Sequence, residues 1–122
     1  MSDIRLYGIK NCDQIKKARR WLDDQQVGYH FHDYRVDGVP EAVADWLVEA
    51  GAQTLINRQS SSWRALPDDE KAVVSAGETD AILSLLHATP TLIKRPLLVV
   101  DKQLTIGFDA THWHQLIHSR EG

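Results

Sequence analysis

The hydrophobic period changes twice within the first 34 residues, and this switch limits the possible folds more than any other feature of the chain. Ile4 and Leu6 alternate with Arg5 and Tyr7 up to Gly8, the pattern of a short strand with one buried face. From about Asp13 to Gln26 the apolar residues Ile15, Ala18 and Leu22 recur at helical spacing. No Gly or Pro interrupts them, and Gly28 offers a stop just past the end. Alternation then returns over Tyr29–Tyr34, with Tyr29 and Phe31 on one face and His30 and His32 on the other. The reading is a β-α-β opening.

The middle of the chain carries helical patterns. Pro40 suits the first turn of a helix in which Val43, Trp46, Leu47 and Ala50 share a face and which Gly51 ends. A second helix begins near Pro67 with Asp68, Asp69 and Glu70 at its positive end and stops by Gly77. A third runs from about Glu78 to His87 on the stripe Ile82, Leu85 and Leu86. Between them, the serine-rich LINRQSSSWR has the composition of a loop. Strands return at PLLVV, where the turn Asp101-Lys102-Gln103 into LTI predicts a hairpin over 97–106. A final helix follows, from about Asp109 to Ser119, with Trp113, Leu116 and Ile117 on one side. This order, β-α-β, helices, then β-β-α, is that of an α/β thioredoxin-like fold. It predicts a mixed four-stranded sheet in a single domain spanning 1–122, with a helical insertion at about 40–90 before the hairpin.

At 122 residues the chain is long enough to bury about 65% of its unfolded surface without staples. A formal charge of -3 argues against a domain that coats nucleic-acid phosphates, and no direct nucleic-acid binding is expected. No run approaches the roughly 20 apolar residues that span a bilayer. The start MSDIRLYGIK lacks the basic and apolar segments of a signal peptide. The expectation is a cytoplasmic protein, without a membrane partner, whose single cysteine stays reduced.

That cysteine, Cys12, falls where the first strand gives way to the first helix. Unpaired backbone N–H groups and the positive end of a helix dipole favour an anion at such a junction, and a thiolate is one. Lys10, Lys16, Lys17, Arg19 and Arg20 lie within eight residues, against the single acid Asp13. Lys16, one turn on, is placed to lie over the same helix end. The competing reading is a small buried hydrophobe, the usual role of an unpaired cysteine. The polar flanks Lys10-Asn11 and Asp13-Gln14 oppose it. A dithiol motif would need a second cysteine at position 15, which is Ile15, so any mixed disulfide on Cys12 needs a thiol from outside, and glutathione or a glutaredoxin is the natural cytosolic source.

Three ordered stretches, YGIKNCDQIKKARRWL, LINRQSSSWR and IKRPLLVV, make the chain resemble the arsenate reductase/Spx (ArsC-like) family, and its YffB-type branch within it. The resemblance implies a nucleophilic cysteine at Cys12. It also implies Arg58 and Arg95 as anion- or glutathione-binding residues, with Pro96 in the cis form at the start of a strand; Asn11 and Lys16, beside the cysteine, complete the candidate set. Guanidinium forks suit oxyanions and carboxylates. No tightly bound cofactor is implied, and glutathione enters as co-substrate. Two departures weaken arsenate as the substrate. The arsenate reductase pattern places His and Arg four residues to either side of the cysteine, where this chain has Gly8 and Lys16, and a third arginine has no counterpart in TIGFDATHW. Spx-type regulators, which bind RNA polymerase, commonly carry the second cysteine that Ile15 replaces.

The expected function is therefore a glutathione-dependent thiol reductase acting on a small oxidised or disulfide substrate. The alternatives are an Spx-like regulator bound to RNA polymerase and an arsenate reductase with an incomplete arginine set. His114 and His118, spaced i, i+4 on the last helix, lack a completing carboxylate, and no metal site is expected. Trp21, Trp46, Trp63 and Trp113 read as packing residues.

Overall fold

A computed structural model describes residues 3–119. In chain order the elements are β1 (Ile4–Gly8), α1 (Asp13–Asp24), β2 (His30–Asp33), α2 (Tyr34–Asp37), α3 (Val43–Ala50), α4 (Ala52–Leu55), α5 (Ser61–Ala65), α6 (Asp68–Ala76), α7 (Thr79–Ala88), a 3₁₀ turn (Pro90–Leu92), β3 (Leu97–Val100), β4 (Gln103–Ile106) and α8 (Ala110–Ser119). They form two compact units. One joins the residues up to Asp33 with those from Arg95 onward, and the other is Tyr34–Lys94.

The first unit contains the whole sheet, in the order β2-β1-β3-β4. β1 pairs in parallel with β2, and antiparallel pairing of β3 with both β1 and β4 makes the sheet mixed. This is the thioredoxin-like α/β arrangement that the element order predicts. Alternation puts Ile4 and Leu6 of β1 on one face, where they pack with Ala18 and Leu22 of α1, Leu98 and Val100 of β3, and Trp113 and Ile117 of α8. Removing a leucine side chain such as Leu6, Leu22 or Leu98 from water stabilises the fold by about 1.5–3 kcal/mol. Trp21 and Phe108 close the cluster edge-on against Trp113, their ring centroids 6.0 and 4.9 Å from it.

Two boundaries differ from the sequence expectation. Gly28 does not end α1. The helix closes earlier, with Gln26 at a φ of +56° and the Val27 N–H donating to Leu22 O at 3.2 Å, a bond that caps the last carbonyls without a glycine. Tyr34 starts α2 and does not extend β2, because Gly8↔Asp33 is the last pair of the β1–β2 register. The hairpin turns through Asp101 and Lys102 at φ values of +47° and +77°. Asp101 is tied to β1 in both directions: its N–H donates to Asp3 O at 2.9 Å, and its Oδ1 accepts from the Asp3 N–H at 2.7 Å. Asp109 caps α8, its Oδ1 accepting the His112 N–H at 3.1 Å.

The second unit is helical around Val43, Trp46, Leu47, Leu55, Ile56, Val74, Ile82, Leu85, Leu86, Leu92 and Ile93. The LINRQSSSWR stretch is more ordered than a loop. Ile56 bridges Ile93, flanked by Asn57 N–H to Leu92 O at 2.8 Å and Lys94 N–H to Leu55 O at 2.9 Å. Ser60 then starts α5, its Oγ accepting the Trp63 N–H at 3.1 Å. Serine lowers the helix signal in composition, yet as an N-cap it nucleates one. α3 begins at Val43, not Pro40, after a turn in which the Val43 N–H donates to Pro40 O at 3.1 Å. Among the described residues no helix is long and apolar enough to cross a membrane.

Candidate functional site

Cys12 is the N-cap of α1. Its backbone is extended, with φ -88° and ψ 133°, and its carbonyl accepts the first helical bond from the Lys16 N–H at 3.0 Å. The turn that delivers it is closed by the Cys12 N–H donating to Ile9 O at 3.1 Å. The side chain is half-buried and caps none of the free N–H groups of the first turn. First-turn N–H groups left uncapped at a helix N-terminus favour an anion there. Asn11 and Lys16 flank the cysteine and are exposed. Arg19 belongs elsewhere: its Nε donates to the Tyr29 hydroxyl at 3.2 Å and its guanidinium lies 4.6 Å from the Phe31 ring centre. Arg19 of the basic run is thus held by residues at the start of β2.

The sheet register brings the second part of the site to the same end. Tyr7 of β1 pairs with Leu97 of β3, and the strands are antiparallel, so the segment leaving β1 and the segment entering β3 lie side by side. Cys12 follows the first and Arg95-Pro96 immediately precedes the second. The Arg95-Pro96 peptide is cis, Pro96 is buried and Arg95 half-buried.

Gly8 leaves the last position of β1 without a side chain. A Cβ at this position would sit 2.1 Å from Ile15 Cδ1 and 2.6 Å from Ile15 Cγ1, with Arg95 Cβ at 4.0 Å. Ile15, fully buried, occupies the space that a histidine at position 8 would need. The two departures from the arsenate reductase and dithiol patterns, Gly8 and Ile15, are therefore one packing solution.

Two features of this end were not read from the sequence. Asp33, only 7% exposed, accepts the Lys10 N–H on its Oδ2 at 3.2 Å, joining the end of β2 to the turn before Cys12. Its sequence signal was an acid closing an otherwise alternating strand. Tyr7 is also buried, its ring 5.2 Å from that of His32. Burial raises its hydroxyl above the ordinary value of 10.0, only partly opposed by Arg5.

Arg58 belongs to the second unit. It is exposed, and its guanidinium lies 5.2 Å from the centre of the Trp63 ring, which Lys71 Nζ also approaches at 6.0 Å. It borders a hollow shared with Gly51, Thr54, Val74 and Ser75. The His114 and His118 rings are 4.3 Å apart, and His118 Nε2 lies 3.4 Å from Gln25 Oε1. Among the described residues no group of three or more His, Cys, Asp or Glu is placed to hold a metal ion.

Fold and site together define a thioredoxin-like domain with one thiol at the start of its first helix and a cis proline at the neighbouring strand. The ArsC family profile matches residues 7–116, and the chain belongs to the ArsC family, on its YffB-type branch. An uncharacterized protein of Haemophilus influenzae is 44% identical over 110 residues, covering 87% of this chain and 91% of that protein. The solved structure of the YFFB protein is 37% identical, with a TM-score of 0.84 over 93% of this chain and 97% of that one. The global transcriptional regulator Spx of Streptococcus agalactiae is 27% identical over 109 residues, 87% of this chain and 77% of the regulator.

Proposed function

We propose that the protein is a glutathione-dependent thiol reductase that works with Cys12 as its single nucleophile. The observation that carries this reading is the half-buried Cys12 at the N-cap of α1, which its side chain leaves uncapped, at the sheet end that also holds Arg95 and cis Pro96. Cys12 Sγ⁻ attacks one sulfur of a substrate disulfide, forming a mixed disulfide and expelling the other sulfur as a thiolate. A glutathione thiolate attacks Cys12 Sγ and expels the remaining substrate thiolate. A second glutathione then attacks the glutathione sulfur, regenerating Cys12 Sγ⁻ and releasing oxidised glutathione. Each turnover moves two electrons from two glutathiones to one disulfide. The second attack is intermolecular because the chain has one cysteine. Asn11, Lys16 and Arg95 are assigned to the carboxylates of glutathione or to an anionic substrate, with Pro96 shaping the strand edge beside Arg95, and the family resemblance alone assigns Arg58 of the second unit an anion-binding role.

Intact-mass analysis after incubation with oxidised glutathione tests this reading. The expected product carries one glutathione on Cys12, forms on the folded protein, is reversed by reduced glutathione and is absent in Cys12→Ser. A folded protein that stays unmodified while its urea-unfolded form reacts would sink the proposal. The match to Spx supports a second reading, a binding role in transcription. RNA polymerase retained on the immobilised protein equally by wild type and Cys12→Ser, with no turnover of a glutathione mixed disulfide, would favour it.

A further inference from the structure

Among the described residues Asp33 is the one buried acid, and it stands at the end of the strand that pairs in parallel with β1. Its Oδ2 accepts a backbone N–H, that of Lys10, two residues before the thiol. The same short turn is also closed by the bond from the Cys12 N–H to Ile9 O at 3.1 Å. Position 8 adds no side chain, and the thiol makes no capping bond. The turn that carries Cys12 to the start of α1 is thus tied to the end of β2 through the Asp33 carboxylate.

We infer that Asp33 is a positioning residue for Cys12: by accepting the Lys10 N–H it holds the turn that keeps the sulfur at the N-cap of α1, in reach of an incoming disulfide. The inference rests on the reading of Cys12 as the reacting thiol. The physical reason is that a sulfur must approach the disulfide in line with the bond that breaks, and a displacement of about 1 Å at a reacting group can cost on the order of a hundredfold in rate. Lys10 is exposed, so water can take its N–H when the carboxylate is removed. The predicted loss therefore falls on the geometry of the turn and leaves the backbone satisfied.

The test compares wild type with Asp33→Leu, which keeps the branched shape and removes the acceptor, and with Asp33→Asn, which retains an acceptor oxygen. The readouts are the second-order rate of Cys12 with oxidised glutathione and amide hydrogen exchange at Lys10. The expected result for Asp33→Leu is a rate about tenfold lower with faster Lys10 exchange, and for Asp33→Asn a loss of less than threefold. Wild-type reaction rates in Asp33→Leu would overturn the inference, as would equal losses in both variants. A wild-type Cys12 that does not react at all would instead refute the function on which it rests. If Asp33→Leu does not fold, a through-bond NMR correlation from the Lys10 amide to the Asp33 carboxyl carbon in the unaltered protein replaces it. Absence of that correlation overturns the inference.

Discussion

Replacing Gly8 with alanine adds a single carbon where the first turn of α1 already stands. The new Cβ would meet Ile15 Cδ1 at 2.1 Å and Cγ1 at 2.6 Å, whereas carbon atoms in favourable contact are about 3.5–4.0 Å apart. Ile15 must give by more than about 1 Å, and it is fully buried, so its side chain has no solvent to swing into. Overpacking of this kind costs about 1–3 kcal/mol, which for a chain of this length lowers the thermal midpoint by roughly 4 °C per kcal/mol. The cost is specific to one neighbour, which makes the argument testable by a double-mutant cycle. Ile15→Ala alone should cost about 2–5 kcal/mol for the cavity. In the combined variant the clash is gone and the new methyl refills part of the space, so the two changes should fall short of additivity by about 1–3 kcal/mol. Urea unfolding followed by circular dichroism measures all four corners. Ile15 lies three residues past Cys12, so Gly8→Ala should also slow adduct formation with oxidised glutathione, and Ile15→Ala should restore part of that rate. Additive costs, or a Gly8→Ala variant within about 0.5 kcal/mol of wild type, would refute the claim that these residues share one space.

The buried Tyr7 hydroxyl is raised above 10.0 by loss of solvent, with Arg5 acting in the opposite sense. A raised folded value means that folding favours the neutral phenol, so this stabilisation is complete below pH 10 and is lost as the pH climbs through the folded value. Wild type should therefore lose urea resistance above pH 10 more steeply than Tyr7→Phe, and parallel declines would contradict the assignment. Arg95→Ala should weaken glutathione use by about tenfold or more in kcat/KM for a glutathione mixed disulfide, the value of a charge-assisted hydrogen bond, with Arg95→Lys intermediate. An unchanged kcat/KM would remove Arg95 from the site.

Strand and helix periodicity was legible because each element of the sheet unit buries one face. Ile4 and Leu6, then Ala18 and Leu22, then Trp113 and Ile117 mark those faces without reference to any partner. The junction at Cys12 was equally legible, since the change of period itself marks where a helix begins. Less legible were elements held by specific bonds. The short helix after Ser60 depends on one hydroxyl accepting the Trp63 N–H, and the end of α1 depends on Gln26 adopting a left-handed turn. Composition records neither, because the same serine and glutamine are ordinary loop residues when those bonds are absent.

The sequence by itself determined the α/β class, the lone thiol at a helix start and the absence of a second thiol from its own chain. These follow from local spacing and from counting, which need no knowledge of neighbours in space. Only the tertiary structure decided that Arg95 and cis Pro96 share a sheet end with Cys12, that Gly8 is empty because Ile15 fills its place, and that Asp33 reaches the turn at Lys10. The first and third join residues far apart in the chain through strand pairing, which local patterns do not encode, and a one-residue slip in register would turn the side chains involved to the other face. The second depends on how α1 packs onto β1, which spacing alone does not fix.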